Sequence, residues 1–198
     1  MGKYYFSAVL LILSAASAFP AIVSAADVDA DKDGLSDGYE QQFKTDPANP
    51  DTDSDGYGDG LEVMTGFDPL KADRSKLEKV IKLDLQKQEL SRVLGGVVLG
   101  TYKVSTGKKS MPTPKGIYTV GNKSPKAWSK TYGLWMPYWL GIQGRRFGIH
   151  ELPIWPNGYR EGANHLGIPV SHGCIRLGIG PAKLLYNWAE IGTEVVIN

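Results

Sequence analysis

Residues 170–178 read VSHGCIRLG and hold Cys174, the one cysteine in a chain of 198 residues. A lone thiol cannot close an internal disulfide; in an oxidising compartment it either bridges to another chain or is reactive. The three histidines, His150, His165 and His172, all lie between residues 150 and 174. A thiol needs a base or a positive neighbour to become a nucleophilic thiolate near neutral pH. A carbonyl under attack needs donors for its oxyanion, and backbone N–H groups in a glycine turn such as SHGC supply them. Two other readings use the same residues. An isolated cysteine can be a buried, inert small hydrophobe, and one cysteine with three histidines can ligate zinc.

Around this stretch the pattern is that of strands. VIKLDL at 80–85 alternates apolar and polar residues with period two, as a half-buried strand does. GGVVLGTYKVSTG at 95–107 is β-branched and glycine-flanked, and MPTPKGIYTV at 111–120 is a proline-bounded turn feeding a strand at 117–120. Short apolar runs follow at 147–150 and 195–197. One helix is expected from Pro181, a good first helical residue, through AKLLYNWAEI to a stop at Gly192. Many short strands with one late helix predict a mainly β sandwich or barrel-like domain. VSTGKKS at 104–110 lacks the glycine spacing of a phosphate loop.

Charge divides the chain. Residues 27–73 carry 14 acidic and 3 basic side chains, whereas residues 74–198 carry 7 acidic and 18 basic. So sharp a boundary predicts two parts with separate cores. The acidic part is a repeat of period 22: DADKDGLSDGYE at 29–40 and DTDSDGYGDGLE at 51–62. Asp29, Asp31, Asp33 and Asp37 with Glu40, then Asp51, Asp53, Asp55 and Asp59 with Glu62, occupy positions 1, 3, 5, 9 and 12 of a calcium loop. Calcium takes about six to eight hard oxygens, so alternate carboxylates converge on it as the backbone curls. Gly34 and Gly56 permit the turn. Without a cation these carboxylates repel, which predicts a segment extended without calcium and compact with it. Opposite charges further suggest that, at low calcium, the acidic repeats dock on the basic half and mask its groove.

Residues 1–26 start with Lys3, continue through an apolar run and end in VSAA. That is the pattern of a cleaved signal peptide, too short for a permanent span. The expectation is export to a periplasm, cell envelope or extracellular surface. The basic half suits an anionic polymer, and no nucleic-acid-binding motif is present.

The repeats resemble bacterial thrombospondin type 3 repeats, and also the dockerin module. From about residue 77 to 198 the chain resembles the L,D-transpeptidase catalytic domain of the YkuD type. The likeness rests on GIH ending at His150, SHGCIR at 171–176, VSTGKKSMPTPKGIYTV at 104–120, MPYW at 136–139 and GTEVVIN at 192–198. It implies a YkuD-like β-sandwich catalytic domain with a short C-terminal helix. Cys174 would attack a peptidoglycan stem tetrapeptide at its third residue and release D-alanine, with no catalytic cofactor. An amine of a second stem, or of a wall or surface protein, would then take the acyl group. By the same resemblance His150 is the base, and Ser171, His172 and Gly173 form the turn that shapes the oxyanion site. Arg176 contacts a stem carboxylate or holds the loop, and Tyr138 and Trp139 line the groove or pack. With water as acceptor the same thiol makes a carboxypeptidase or a peptidoglycan–protein amidase. A further alternative is a calcium-dependent wall-binding module with weak catalysis. Twenty residues separate His150 from Ser171, more than the family pattern has. The surplus falls in PIWPNGYREGAN at 153–164, expected to form a lid or to alter acceptor choice. Were the alignment shifted there, His165 would be the base.

Overall fold

A computed structural model describes residues 28–198; the signal-peptide expectation falls outside them. The alternation in VIKLDL becomes β1 (Lys79–Asp84), which presents Ile81 and Leu83 to the core. The chain continues through β2 (Glu89–Leu94), β3 (Val97–Ser105), β4 (Gly116–Ser129), β5 (Leu134–Ile142), β6 (Gly148–Glu151), β7 (Ile175–Leu177), α3 (Pro181–Trp188) and β8 (Glu194–Ile197). The first two helices, α1 (Asp37–Phe43) and α2 (Asp59–Thr65), belong to the repeats.

The strands close in the order β1-β2-β3-β7-β6-β5-β4-β8. The mainly β sandwich expected from sequence is present as two sheets that share β3 and β4, and this sharing closes the barrel. β4 shows how. Residues 116–119 pair with β8, then a register shift between Val120 and Asn122 passes the strand to β5. Bulges of this kind turn corners between sheets. Gly121 sits at the shift, where an added Cβ would come 2.8 Å from Gln143 Cα. The strand expected at 117–120 is therefore only the first part of a 14-residue strand.

Leu83, Leu90, Val104, Leu140, Ile149, Ile175 and Val195 fill the interior, and α3 closes it with Ala182 and Leu185. That helix ends at Trp188, about a turn before the expected stop, because Ala189 is extended.

The two parts are not sealed off from each other. Among the described residues, the barrel core contains only residues of the basic half. A second cluster, however, joins Leu35, Phe43 and Val63 of the repeats to Leu94 of β2, with Tyr39, Leu99 and Trp188 packed against it. Helices of seven residues cannot bury an apolar face alone, so the repeats borrow the barrel's surface. They rest against the β2–β3 hairpin and α3.

Candidate active site

β6 and β7 pair in parallel, with Ile149 opposite Ile175 and His150 opposite Arg176. Side chains alternate across a strand, and paired residues share a face. Ile149 and Ile175 therefore enter the core, which leaves His150, Cys174 and Arg176 on the other face. All three line one cavity of about 90 Å³, whose walls include Tyr132, Met136, Trp155, Glu161 and His172. Among the described residues, none from the repeats lines it, so the groove-masking expectation has no counterpart in this arrangement.

His150 is 2% exposed, and its Nδ1 lies 2.5 Å from the carbonyl oxygen of Glu151. A carbonyl only accepts, so Nδ1 carries the proton and Nε2 keeps its lone pair. Burial drives the His150 pKa down to about 4, and the Arg176 guanidinium pushes the same way, against the Glu151 hydrogen bond. The ring also lies 6.0 Å from that of Trp139, the two planes 28° apart. Burial raises the Cys174 thiol above its ordinary value, opposed by the Gly148 amide and by Arg176. The resting pair is neutral imidazole and neutral thiol.

The turn before Cys174 is braced from within. Ser171 is fully buried; its hydroxyl donates to the Cys174 carbonyl at 2.6 Å and accepts from the Gly173 amide at 3.1 Å. Gly173 has φ +111°, a conformation strained for any other residue. Its carbonyl accepts from the Thr113 hydroxyl at 2.9 Å, and Thr113 Oγ1 in turn accepts from the Gly107 amide at 2.9 Å. Thr113 thus ties the 106–113 loop to the turn before Cys174. Position 107 admits only glycine, because a Cβ would lie 2.2 Å from Met111 O.

His172 is exposed and stacks on Tyr132 with centroids 4.6 Å apart. Its pKa is lowered by partial desolvation, then by Lys108 and Arg176. Arg176 donates from Nη1 to Glu161 Oε2 at 2.5 Å, and among the described residues its buried Nε has no partner. His165 pairs with the same Glu161 oxygen through Nδ1 at 3.1 Å and does not line the cavity. Tyr138, with φ +53°, packs against Tyr186 beside the core and is not a cavity wall. Trp139 donates to Asn122 Oδ1 and touches the site through its ring on His150. The long 152–170 segment is an ordered arm. Ile154 bridges both Trp135 and Arg160, and Arg160 pairs with buried Glu151.

In the repeats, Asp29, Asp31 and Asp33 bring carboxylate oxygens within 4.8 Å of one another, and so do Asp51, Asp53 and Asp55. Glu40 and Glu62 are buried beside them. Among the described residues, both Glu62 oxygens, Glu40 Oε2, Asp31 Oδ2 and Asp53 Oδ2 are buried without a partner. Burial first, and then the neighbouring aspartates, raise both glutamates to about 7. Orphaned hard oxygens so arranged fit a calcium ion. Asp37 accepts from the Ala30 amide, and Asp59 accepts from both the amide and the hydroxyl of Thr52. They close their loops.

Residues 78–197 match the L,D-transpeptidase catalytic domain (YkuD) family model. The chain belongs to this family. Residues 29–50 and 51–72 match the bacterial TSP3 repeat. Two Bacillus subtilis proteins named as L,D-transpeptidases are similar. YciB is 30% identical over 125 residues, covering 60% of this chain and 64% of its own. YqjB is 30% identical over 122 residues, covering 55% and 65%. The chain thus spans just under two thirds of the length of these relatives. An L,D-transpeptidase structure from Mycobacterium tuberculosis H37Rv has a TM-score of 0.54 at 25% identity, covering 63% of this chain and 59% of that one. The LdtMt1 structure in complex with imipenem has a TM-score of 0.56 at 20% identity, covering 62% and 60%, and shows the fold alone.

Against this L,D-transpeptidase background, Thr113, Tyr132, Trp155 and Glu161 are among the site residues that sequence reasoning did not single out. Only Thr113 had a local signal, in the threonine-proline turn. The other three reach the cavity through β5-edge and loop geometry that no short motif encodes.

Proposed function

We propose that the chain is an exported L,D-transpeptidase acting on peptidoglycan stem tetrapeptides through Cys174. The observation that carries this reading is that His150, its Nδ1 held on the Glu151 carbonyl, and Cys174 are walls of one cavity. As Sγ attacks the carbonyl of the third stem residue, His150 Nε2 takes the thiol proton. The Gly173 amide is committed to Ser171, so the His172 and Cys174 amides are assigned to the oxyanion. Collapse returns the proton from His150 to the departing D-alanine amine and leaves a thioester. An amine of a second stem, or of a surface protein, then attacks, giving a 3–3 cross-link or a protein attachment.

In this reading Ser171, Gly173 and Thr113 hold the turn, and Arg176 holds Glu161. Residues 77–198 form the catalytic domain and residues 27–73 the repeats. Asp29, Asp31, Asp33 and Glu40, with Asp51, Asp53, Asp55 and Glu62, would hold calcium. The ion would neutralise these clustered carboxylates and fix the loops.

Mass spectrometry of the chain incubated with a disaccharide-tetrapeptide, beside Cys174→Ala, tests the proposal. Loss of D-alanine with a dimeric product, absent in the variant, is the expected result. Tripeptide alone would establish the hydrolytic alternative. No reaction and no Cys174 adduct would leave a calcium-dependent wall-binding module as the reading to pursue.

A further inference from the structure

Beside the catalytic cavity lies a second, open pocket of about 600 Å³, walled by Trp155, Pro156, Asn157, Tyr159, Glu161 and His165. Trp155 and Glu161 are walls of both spaces, so whatever occupies the outer pocket sits against the reacting centre. All six residues come from the long stretch between His150 and Ser171. The pocket is structurally built. The Trp155 amide donates to the Tyr159 carbonyl at 2.8 Å, closing a tight hairpin, and Ile154 ties that hairpin to β5.

Its chemistry contrasts with the half of the chain that holds it. Residues 74–198 carry 18 basic and 7 acidic side chains, yet the pocket is walled by one carboxylate, two aromatic rings and an imidazole, with no lysine or arginine among the described residues that line it. Trp155 and Tyr159 are 37% and 61% exposed, so their faces are available. A carboxylate flanked by open aromatic faces is a combination that holds an organic cation. Glu161 is suited to this. Its Oε2 is taken by Arg176 and His165, while among the described residues its Oε1 accepts no hydrogen bond.

We infer that the 154–165 hairpin is the acceptor subsite and takes an alkylammonium, with Glu161 Oε1 on the nitrogen and Trp155 and Tyr159 against its aliphatic chain. This rests on the transpeptidase reading above and specifies its acceptor. An amine arriving as ammonium releases one proton to bulk water across the open pocket. The neutral nitrogen attacks the thioester carbonyl and forms the amide bond as the C–S bond breaks. Its second proton passes to His150 Nε2 and then to the departing Cys174 thiolate, which restores the resting thiol. A stem side-chain amine and a protein lysine present the same chemistry.

The experiment acylates the full chain with disaccharide-tetrapeptide and then offers either a second stem peptide or a lysine-containing peptide. Mass spectrometry measures the ratio of transferred to hydrolysed product, in which any change in acylation cancels. In Glu161→Gln, which keeps the side chain's shape, the ratio falls about tenfold through loss of a charge-assisted contact, and the KM for the amine rises. Tyr159→Ala lowers the ratio in the same direction. Transfer to only one of the two peptides names the source and supports the subsite, provided the ratio falls in the variants. An acyl-enzyme whose ratio is unchanged in both variants overturns the assignment and leaves Glu161 as an anchor for the loop. Absence of any wild-type acyl-enzyme instead sinks the transpeptidase reading itself.

Discussion

His150 gives its Nδ1 proton to the carbonyl of its own neighbour, Glu151, at 2.5 Å. The contact is local, but it fixes the tautomer of a ring that is 2% exposed and points the remaining lone pair away from the backbone.

One consequence concerns pH. Burial holds His150 at about 4 and raises the Cys174 thiol, so the free protein is expected to carry no preformed thiolate–imidazolium pair at neutral pH. Alkylation of Cys174 by iodoacetamide should therefore accelerate only toward alkaline pH. Turnover with substrate should persist down to near pH 4, where protonation removes the base. A thiol alkylation midpoint between about pH 5 and 7, as ion-paired thiolates give, would refute the neutral-pair arrangement.

Thr113 offers a mechanical test. Its hydroxyl serves both the Gly107 amide and the Gly173 carbonyl, so Thr113→Val orphans two buried backbone groups at a cost of about 2–4 kcal/mol. Chemical denaturation should register that loss, and Cys174 acylation should slow beyond it because the turn before Cys174 loses its tether. Thr113→Ser should recover most of both. A valine variant with wild-type acylation would mean that the turn is held without Thr113.

How legible the site was depends on how local its determinants are. VIKLDL announced β1 because its alternation matches its burial, and the calcium loops were plain because their donors recur every second residue. LWMPYWLGI was not recognised as β5 because its burial does not alternate. Pro137 and the positive φ of Tyr138 interrupt a strand whose partners fix it nonetheless. Asp37 and Asp59 occupy ligand positions in sequence, but the Ala30 amide and the Thr52 amide and hydroxyl that they accept from are brought to them only by the folded loop. Glu161 joins Arg176 from 15 residues away, and no short-range pattern announces such a pairing.

Calcium uptake should release protons. Without a cation Glu40 and Glu62 sit at about 7, above the ordinary 4.5. The stability they contribute in the neutral form is complete below 4.5 and is lost as pH rises through 7. A bound cation requires both ionised. Calorimetry at pH 7 in buffers of different ionisation enthalpy should show proton release, with calcium affinity rising from about pH 5 to 8. Heats independent of buffer would mean that the glutamates are already ionised and the raised values do not describe the apo loops.

The same cation should stabilise the barrel. Leu94 is fully buried at the end of β2 and packs in one cluster with Leu35, Phe43 and Val63 of the repeats, while the Tyr39 hydroxyl donates to the Leu99 carbonyl at 3.2 Å. Fixing the loops fixes the α1 and α2 faces that cover this surface, so chelation should lower the Tm of the whole chain, not only loosen the repeats. Leu94→Ala should cost about 2–5 kcal/mol and shrink the calcium-dependent part of the Tm, because the cavity removes the contact through which the two parts communicate. Differential scanning calorimetry with calcium and with chelator reads both effects. A barrel transition at the same temperature under both conditions would show that the repeats and the barrel unfold independently, despite their shared cluster.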